Sequence, residues 1–275
     1  MMSVNILDKM ALITIVLICI TSMIAFIELG FRFGQYRQAK QNKAQMAQVR
    51  AIMGASLGLL AFMLAFSFSM AQQHYETRMQ TYLLEINAID STYRSADLLG
   101  NNKDEVKHLL QRFVQLRFDT SKAADSGEME TAFAMIRESE QIHDQLWEIA
   151  VAEMSDPTVG TENDLFPQSV LAMMDANDAR LQAVLFNRIS PVIWLMQFLM
   201  ALLSMIIMGY QAGLTGTRSR LATWTLAVTF SAVMALVTDL DRPNMTLFHL
   251  DQSLMLDLQK HMAGDLAKNL PGLRE

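Results

Sequence analysis

The stretch GLLAFMLAFSFSMAQQHYE, residues 58–76, sets Phe62, Phe66 and Met70 at four-residue intervals, in a run with no acidic or basic side chain before His74. Four residues are close to one helical turn, so these side chains form a ridge along one side of a helix. Such a ridge packs a core, faces lipid or narrows a pore. The neighbouring sequence bears on which.

The chain has 275 residues, of which 52% are hydrophobic. Four runs without Asp, Glu, Lys or Arg approach or exceed the roughly 20 residues that cross a hydrocarbon core as helix: Met10–Ile27, Ala51–Gln73, Ile189–Thr217 and Leu221–Thr238. The first run follows mixed charge, Asp8 and Lys9, and leads into Glu28–Arg32 without a small-residue cleavage site. It reads as a span. The single cysteine, Cys19, lies inside that run, so neither an intrachain disulfide nor a thiol metal cluster is expected.

Loop charge suggests an orientation. Between the first two runs stand Arg32, Arg37, Lys40, Lys43 and Arg50; between the last two stand Arg218 and Arg220. The positive-inside rule places both connections in the cytoplasm and the large region between the second and third spans outside it.

That large region is helical by pattern. No glycine or proline interrupts the chain between Gly58 and Gly100, so the second span is expected to run on as a stalk to about Leu99, a helix roughly 70 Å long from Ala51. Apolar residues at three- and four-residue spacing mark further helices near 103–122, 128–154 and 168–188. Breaks fall at Gly100-Asn101-Asn102, at Ser126-Gly127 and between Asp156 and Pro167. Ser190-Pro191 supplies a cap and a first-turn proline for the third span. Leu247, Leu250, Leu254 and Leu258 give the tail one apolar face. The expected layout is all-α: membrane helices 1 and 2 in residues 1–73, an extramembrane bundle in 74–188, membrane helices 3 and 4 in 189–243 and an amphipathic helix in 244–275.

Enzyme chemistry finds no foothold. Gly-rich phosphate loops, HExxH, CxxC and GxSxG are all absent, and no cofactor is implied. The histidines at 74, 108, 143, 249 and 261 are scattered without ligand spacing, which points to helix-face residues and to no metal site. Between His74 and Arg188, twenty acids face ten bases, the wrong balance for a nucleic-acid surface.

Several stretches taken together resemble the bacterial bestrophin-like family. They are Glu28, Gly30, Arg32 and Gly34 in ELGFRFG; Tyr75, Glu76 and Arg78 in HYETR; and Glu85, Asn87, Tyr93, Arg94 and Asp97 in EINAIDSTYRSADLL. Arg112, Phe113 and Arg117 follow, then Asn187, Arg188, Pro191 and Trp194 in NRISPVIW, and Asp239, Asp241, Arg242 and Pro243 in DLDRP. The resemblance implies a multi-pass protein of the bacterial inner membrane and a pentameric ion channel, with a hydrophobic neck on its second membrane helix. It also implies a cytoplasmic bundle, opposite to the charge count. There is no acidic calcium clasp of the kind animal bestrophins carry.

On this reading the second span carries a small-residue face, Gly54, Gly58, Ala61, Ala65 and Ser69, suited to a neighbouring helix. Beside it run Leu59, Phe62, Phe66 and Met70, which in a ring of subunits form a collar that gates by dewetting. Packing within the subunit or against lipid is the bland alternative. Glu76 and Arg78 either ring a pore mouth or pair along the stalk. Glu28 with Arg32, and Asp239, Asp241 and Arg242, are expected to be structural ion pairs, because ionisable groups at membrane depth need partners. The expected partners are the bilayer, further copies of the chain and inorganic ions, either anions or monovalent cations, with no nucleic acid. The competing function is a non-conducting scaffold or sensor subunit whose bundle binds another protein.

Overall fold

The structure is a computed structural model that describes residues 12–37, 43–100, 102–155, 164–216, 219–242 and 253–269. Every regular element among the described residues is helical. In chain order they are α1 (Leu12–Arg37), α2 (Lys43–Ser95), a 3-10 turn (Ala96–Leu98), α3 (Lys103–Asp125), α4 (Met129–Met154), α5 (Leu165–Leu185), α6 (Pro191–Thr215), α7 (Arg220–Asp241) and α8 (Ser253–Asn269). Expectations that concern residues 156–163, Arg218, Pro243, Leu247 and Leu250 lie outside the described residues.

Helices α1, α2, α6 and α7 are each long and apolar enough to cross a membrane. The 53 residues of α2 make a helix roughly 80 Å long, longer than the sequence pattern suggested. The difference is at its start: α2 already begins at Lys43, inside the basic connection, because Ala44, Gln45, Met46 and Ala47 are good helix formers that no breaker interrupts.

The chain divides into two compact units, one made of residues 1–75 and 187–248, the other of residues 76–186 and 249–275. In the first, α1 presents one stripe inward: Ile15, Cys19, Met23, Ile27, Gly30 and Gly34 are buried at three- and four-residue spacing. That stripe lies against α6 at backbone distance. A methyl group added at Gly30 would stand 2.1 Å from the carbonyl oxygen of Ile206, and one at Gly209 would stand 2.0 Å from that of Ile27. Gly34 and Gly213 repeat the pattern one turn on, against Tyr210 and Phe31. Both helices therefore carry a Gly-xxx-Gly pair, and their residue numbers rise together, so α1 and α6 run parallel. Met23, Ile27, Leu60, Leu64, Ala201, Met205, Ala227 and Met234 fill the rest of this core.

Serine caps behave differently at the two later spans. Ser219 caps α7 through its hydroxyl oxygen, which accepts the Ala222 N–H at 3.4 Å. Ser190 occupies the cap position of α6 without a side-chain bond, contrary to expectation; its carbonyl accepts from Ile193 at 2.9 Å and Pro191 fixes the first turn. Gly216 ends α6 at φ 67°, a left-handed cap that favours glycine.

The second unit packs the polar half of α2 with α3, α4, α5 and α8 around Ile89, Leu110, Phe113, Leu146, Val170, Met173, Met255 and Met262. α5 begins at Leu165, before the expected 168, because Pro167 sits within its first turn, where a missing N–H costs nothing.

Candidate functional site: the uncovered face of the second span

Between Ala51 and Ser69 the two sides of α2 are unlike. Leu60, Leu64 and Ser67 are buried, while Phe62 and Phe66 are 65% and 52% exposed and Leu59 is exposed beside them. The small residues Gly54, Gly58, Ala61, Ala65 and Ser69 are exposed as well. A methyl group added at Gly54 or Gly58 would meet nothing within 4 Å. The exposed face of α6 is built otherwise, from Val192, Leu195, Met196, Leu199 and Leu203, bulky side chains suited to acyl chains.

The ridge does not extend through Met70. Met70 is half-buried and packs against a cluster of Ala71, Ile189, Val237 and Leu240, so the exposed part of the row consists of Leu59, Phe62 and Phe66. The reason is helical drift: four-residue steps overshoot a 3.6-residue turn by about 40° each. By Met70 the row has swung from the open side toward α6 and α7.

The buried side of α2 is held by a polar contact that the sequence did not single out. Ser67 donates to Oε1 of Gln197 on α6 at 2.6 Å, and Gln197 is fully buried. Within a membrane such a bond carries about 0.6 kcal/mol, modest but directional. The glycine pair Gly209-xxx-Gly213 also went unremarked; its spacing was the available signal.

Ionisable residues gather at the ends of the spans. Glu28 and Arg32 form an ion pair at 3.2 Å, one turn apart on α1. At the end of α7, Asp239, Asp241 and Arg242 are all buried. Asp241 accepts the Ile189 N–H at 2.8 Å and lies 3.7 Å from Nδ1 of His74, so one carboxylate ties the start of α6, the end of α7 and α2 together. Glu76 is exposed, whereas Arg78 is 1% exposed. They are two residues apart, about 200° around the helix, and so cannot share a face.

Inside the second unit, polar residues converge from four helices. Glu85 on α2 is fully buried, paired with Arg117 on α3 at 2.8 Å and with Arg180 on α5. Burial opposes ionisation of Glu85, but the two guanidinium groups outweigh it and hold the carboxyl below its ordinary value. Arg180 also stacks over Tyr82 at 4.9 Å. His143 on α4 is buried against the Phe113 ring at 4.8 Å, so it is a helix-face residue whose face is turned into the core. Burial, and then Arg117, push its imidazole below the usual range. A second cluster secures α8: Lys107 pairs with Asp97 at 2.8 Å and Asp265 at 3.1 Å, and lies 4.5 Å over the Tyr93 ring. Burial pushes the Tyr93 hydroxyl up to about 12. Asn87, Arg94 and Asp97 of the same matched stretch are exposed; Arg94 pairs with Asp90 at 2.8 Å on its own helix.

Among the described residues, no group of His, Cys, Asp and Glu is arranged to hold a metal ion. No curated protein and no solved structure matches the chain. The model of the Bestrophin-like domain matches residues 17–244 and touches all four membrane-length helices, so the chain is an all-α, multi-pass membrane protein that belongs to the bestrophin-like domain family.

Proposed function

We propose that the protein is a homo-oligomeric ion channel whose axis is lined by the exposed face of α2, with Phe62 and Phe66 as its hydrophobic neck. The observation that carries this reading is the uncovered face itself. It is free of charge from Ala51 to Gln73, and it sets exposed glycine, alanine and serine beside exposed phenylalanine. Small residues on a membrane helix stabilise it only when another helix approaches closely, and among the described residues none comes within 4 Å of a β-carbon at Gly54 or Gly58. A second copy supplies that helix. The bestrophin relationship favours five copies.

In such a ring the small residues meet a neighbour and the phenylalanines turn to the axis. Water leaves a narrow apolar constriction, and an ion cannot cross it unhydrated, so the neck acts as a gate. Glu76 follows Ser69 by seven residues, close to two helical turns, and between Arg50 and Arg94 it is the one exposed ionisable side chain of α2. A ring of these carboxylates at the mouth raises the local cation concentration and favours monovalent cations over anions.

Planar-bilayer recording of the purified chain tests the proposal. Wild-type protein passes discrete currents, and Phe66→Ala, which widens and wets the neck, enlarges them or holds them open. Silence from both proteins, with a strictly monomeric chain on cross-linking, returns the non-conducting scaffold.

A further inference from the structure

A cavity of about 320 Å³ opens between α1, α6 and α7. Its inner wall is Ile27, Met208 and Leu226, which lie about three, two and one and a half turns inside the ends of their helices. Its outer rim is Ser219, Ala222 and Thr223, on the cap and first turn of α7. Polarity therefore changes along the groove, from wholly apolar walls to hydroxyl groups at the end of the span.

Among the described residues, the α7 end of that rim carries a basic side chain. Arg220 opens α7 and is exposed, and Arg37 closes α1 and is exposed. The one acid on this stretch of α1, Glu28, is already paired with Arg32. A half-open groove in a membrane-crossing unit, apolar inside and cationic at its mouth, matches one kind of molecule: an amphiphile with an anionic head.

We propose that this groove binds an anionic phospholipid, one acyl chain lying along Ile27, Met208 and Leu226 and the phosphate held near Arg220. The rest of the rim suits a phosphodiester. The Ser219 oxygen accepts the Ala222 N–H, which leaves its hydroxyl hydrogen free to donate outward. Thr223 turns its hydroxyl back to the Ser219 carbonyl at 3.1 Å and shows its methyl group to the chain. A bound lipid would brace α1, α6 and α7 from outside. The site does not depend on conduction.

Native mass spectrometry of the full chain in detergent tests it, with palmitoyl-oleoyl phosphatidylglycerol and the matching phosphatidylcholine as probes. Wild-type protein retains the glycerol lipid in preference, by roughly fivefold for the contribution of the Arg220 side chain. Ala222→Trp fills the groove and removes both lipids; Arg220→Gln keeps both and abolishes the preference. Inorganic phosphate displaces neither. The proposal is overturned if Ala222→Trp retains lipid like the wild type, if Arg220→Gln keeps the preference, or if phosphate competes, which would make the site one for a soluble anion. Should Ala222→Trp lose its helical circular dichroism, Ala212→Val narrows the same groove more gently and must lower lipid retention.

Discussion

The membrane-crossing helices carry the Gly-xxx-Gly pattern three times, and two of the three have found their partner. Gly30 and Gly34 of α1 meet Gly209 and Gly213 of α6 so closely that no β-carbon fits at any of the four positions. Gly54 and Gly58 of α2 face open space. The same motif is thus a completed contact within the chain in one place and an unmade contact in the other. Composition alone does not distinguish them; only the position of a neighbouring backbone does.

The sharpest way to break this contrast is to put the same side chain on both sides of it. Gly209→Leu drives a β-carbon into the Ile27 carbonyl, and separating the two backbones costs upwards of about 3 kcal/mol. Thermal unfolding in detergent, followed by circular dichroism, shows the membrane unit lost or severely weakened. At Gly58 a β-carbon meets nothing within 4 Å among the described residues, so for Gly58→Leu the same measurement changes by no more than about 0.5 kcal/mol. Its effect lies between chains: the cross-linking ladder collapses toward monomer. If Gly58→Leu unfolds the protomer as Gly209→Leu does, the contrast fails.

A smaller effect follows from the exposed carboxylate. Glu76→Gln leaves the fold and the neck intact and moves the reversal potential in a potassium chloride gradient toward zero, because the fixed charge at the mouth is gone. An unchanged reversal potential removes Glu76 from the permeation path.

The least of the expected effects lies in the helical unit. His143 is buried, and its folded value lies below the ordinary histidine value near 6.5. The unfolded chain therefore binds the extra proton first. Stability is full above that ordinary value and declines as pH falls below it, by up to about 1.4 kcal/mol per unit of pH until the folded value is reached. His143→Phe keeps the ring against Phe113 and flattens this dependence in pH-resolved chemical denaturation.

Much of this architecture was legible in the sequence. Charge-free runs marked the spans, because a polar group in hydrocarbon is too costly to hide. The absence of glycine and proline after Gly58 foretold the unbroken α2. The site was less legible, since periodicity names the residues that share a face without naming what covers it. Met70 stood in the row with Phe62 and Phe66 yet packs against Ile189 and against Val237 and Leu240 of α7, which only the tertiary fold reveals. Arg117, Arg180 and His143 were unreadable as a cluster for the same reason: each is one polar residue on a separate helix, and no local spacing connects them.

The central claim is that the exposed ridge of α2 looks toward a shared axis and not toward lipid. Spin-label distance measurement on the reconstituted protein addresses it directly, with the buried native thiol replaced as Cys19→Ala and a single label placed through Phe66→Cys or, in a second protein, Leu195→Cys. The account predicts shorter distances between subunits from position 66 than from position 195 on the exposed face of α6. No dipolar coupling at position 66, or distances there longer than at 195, would contradict it.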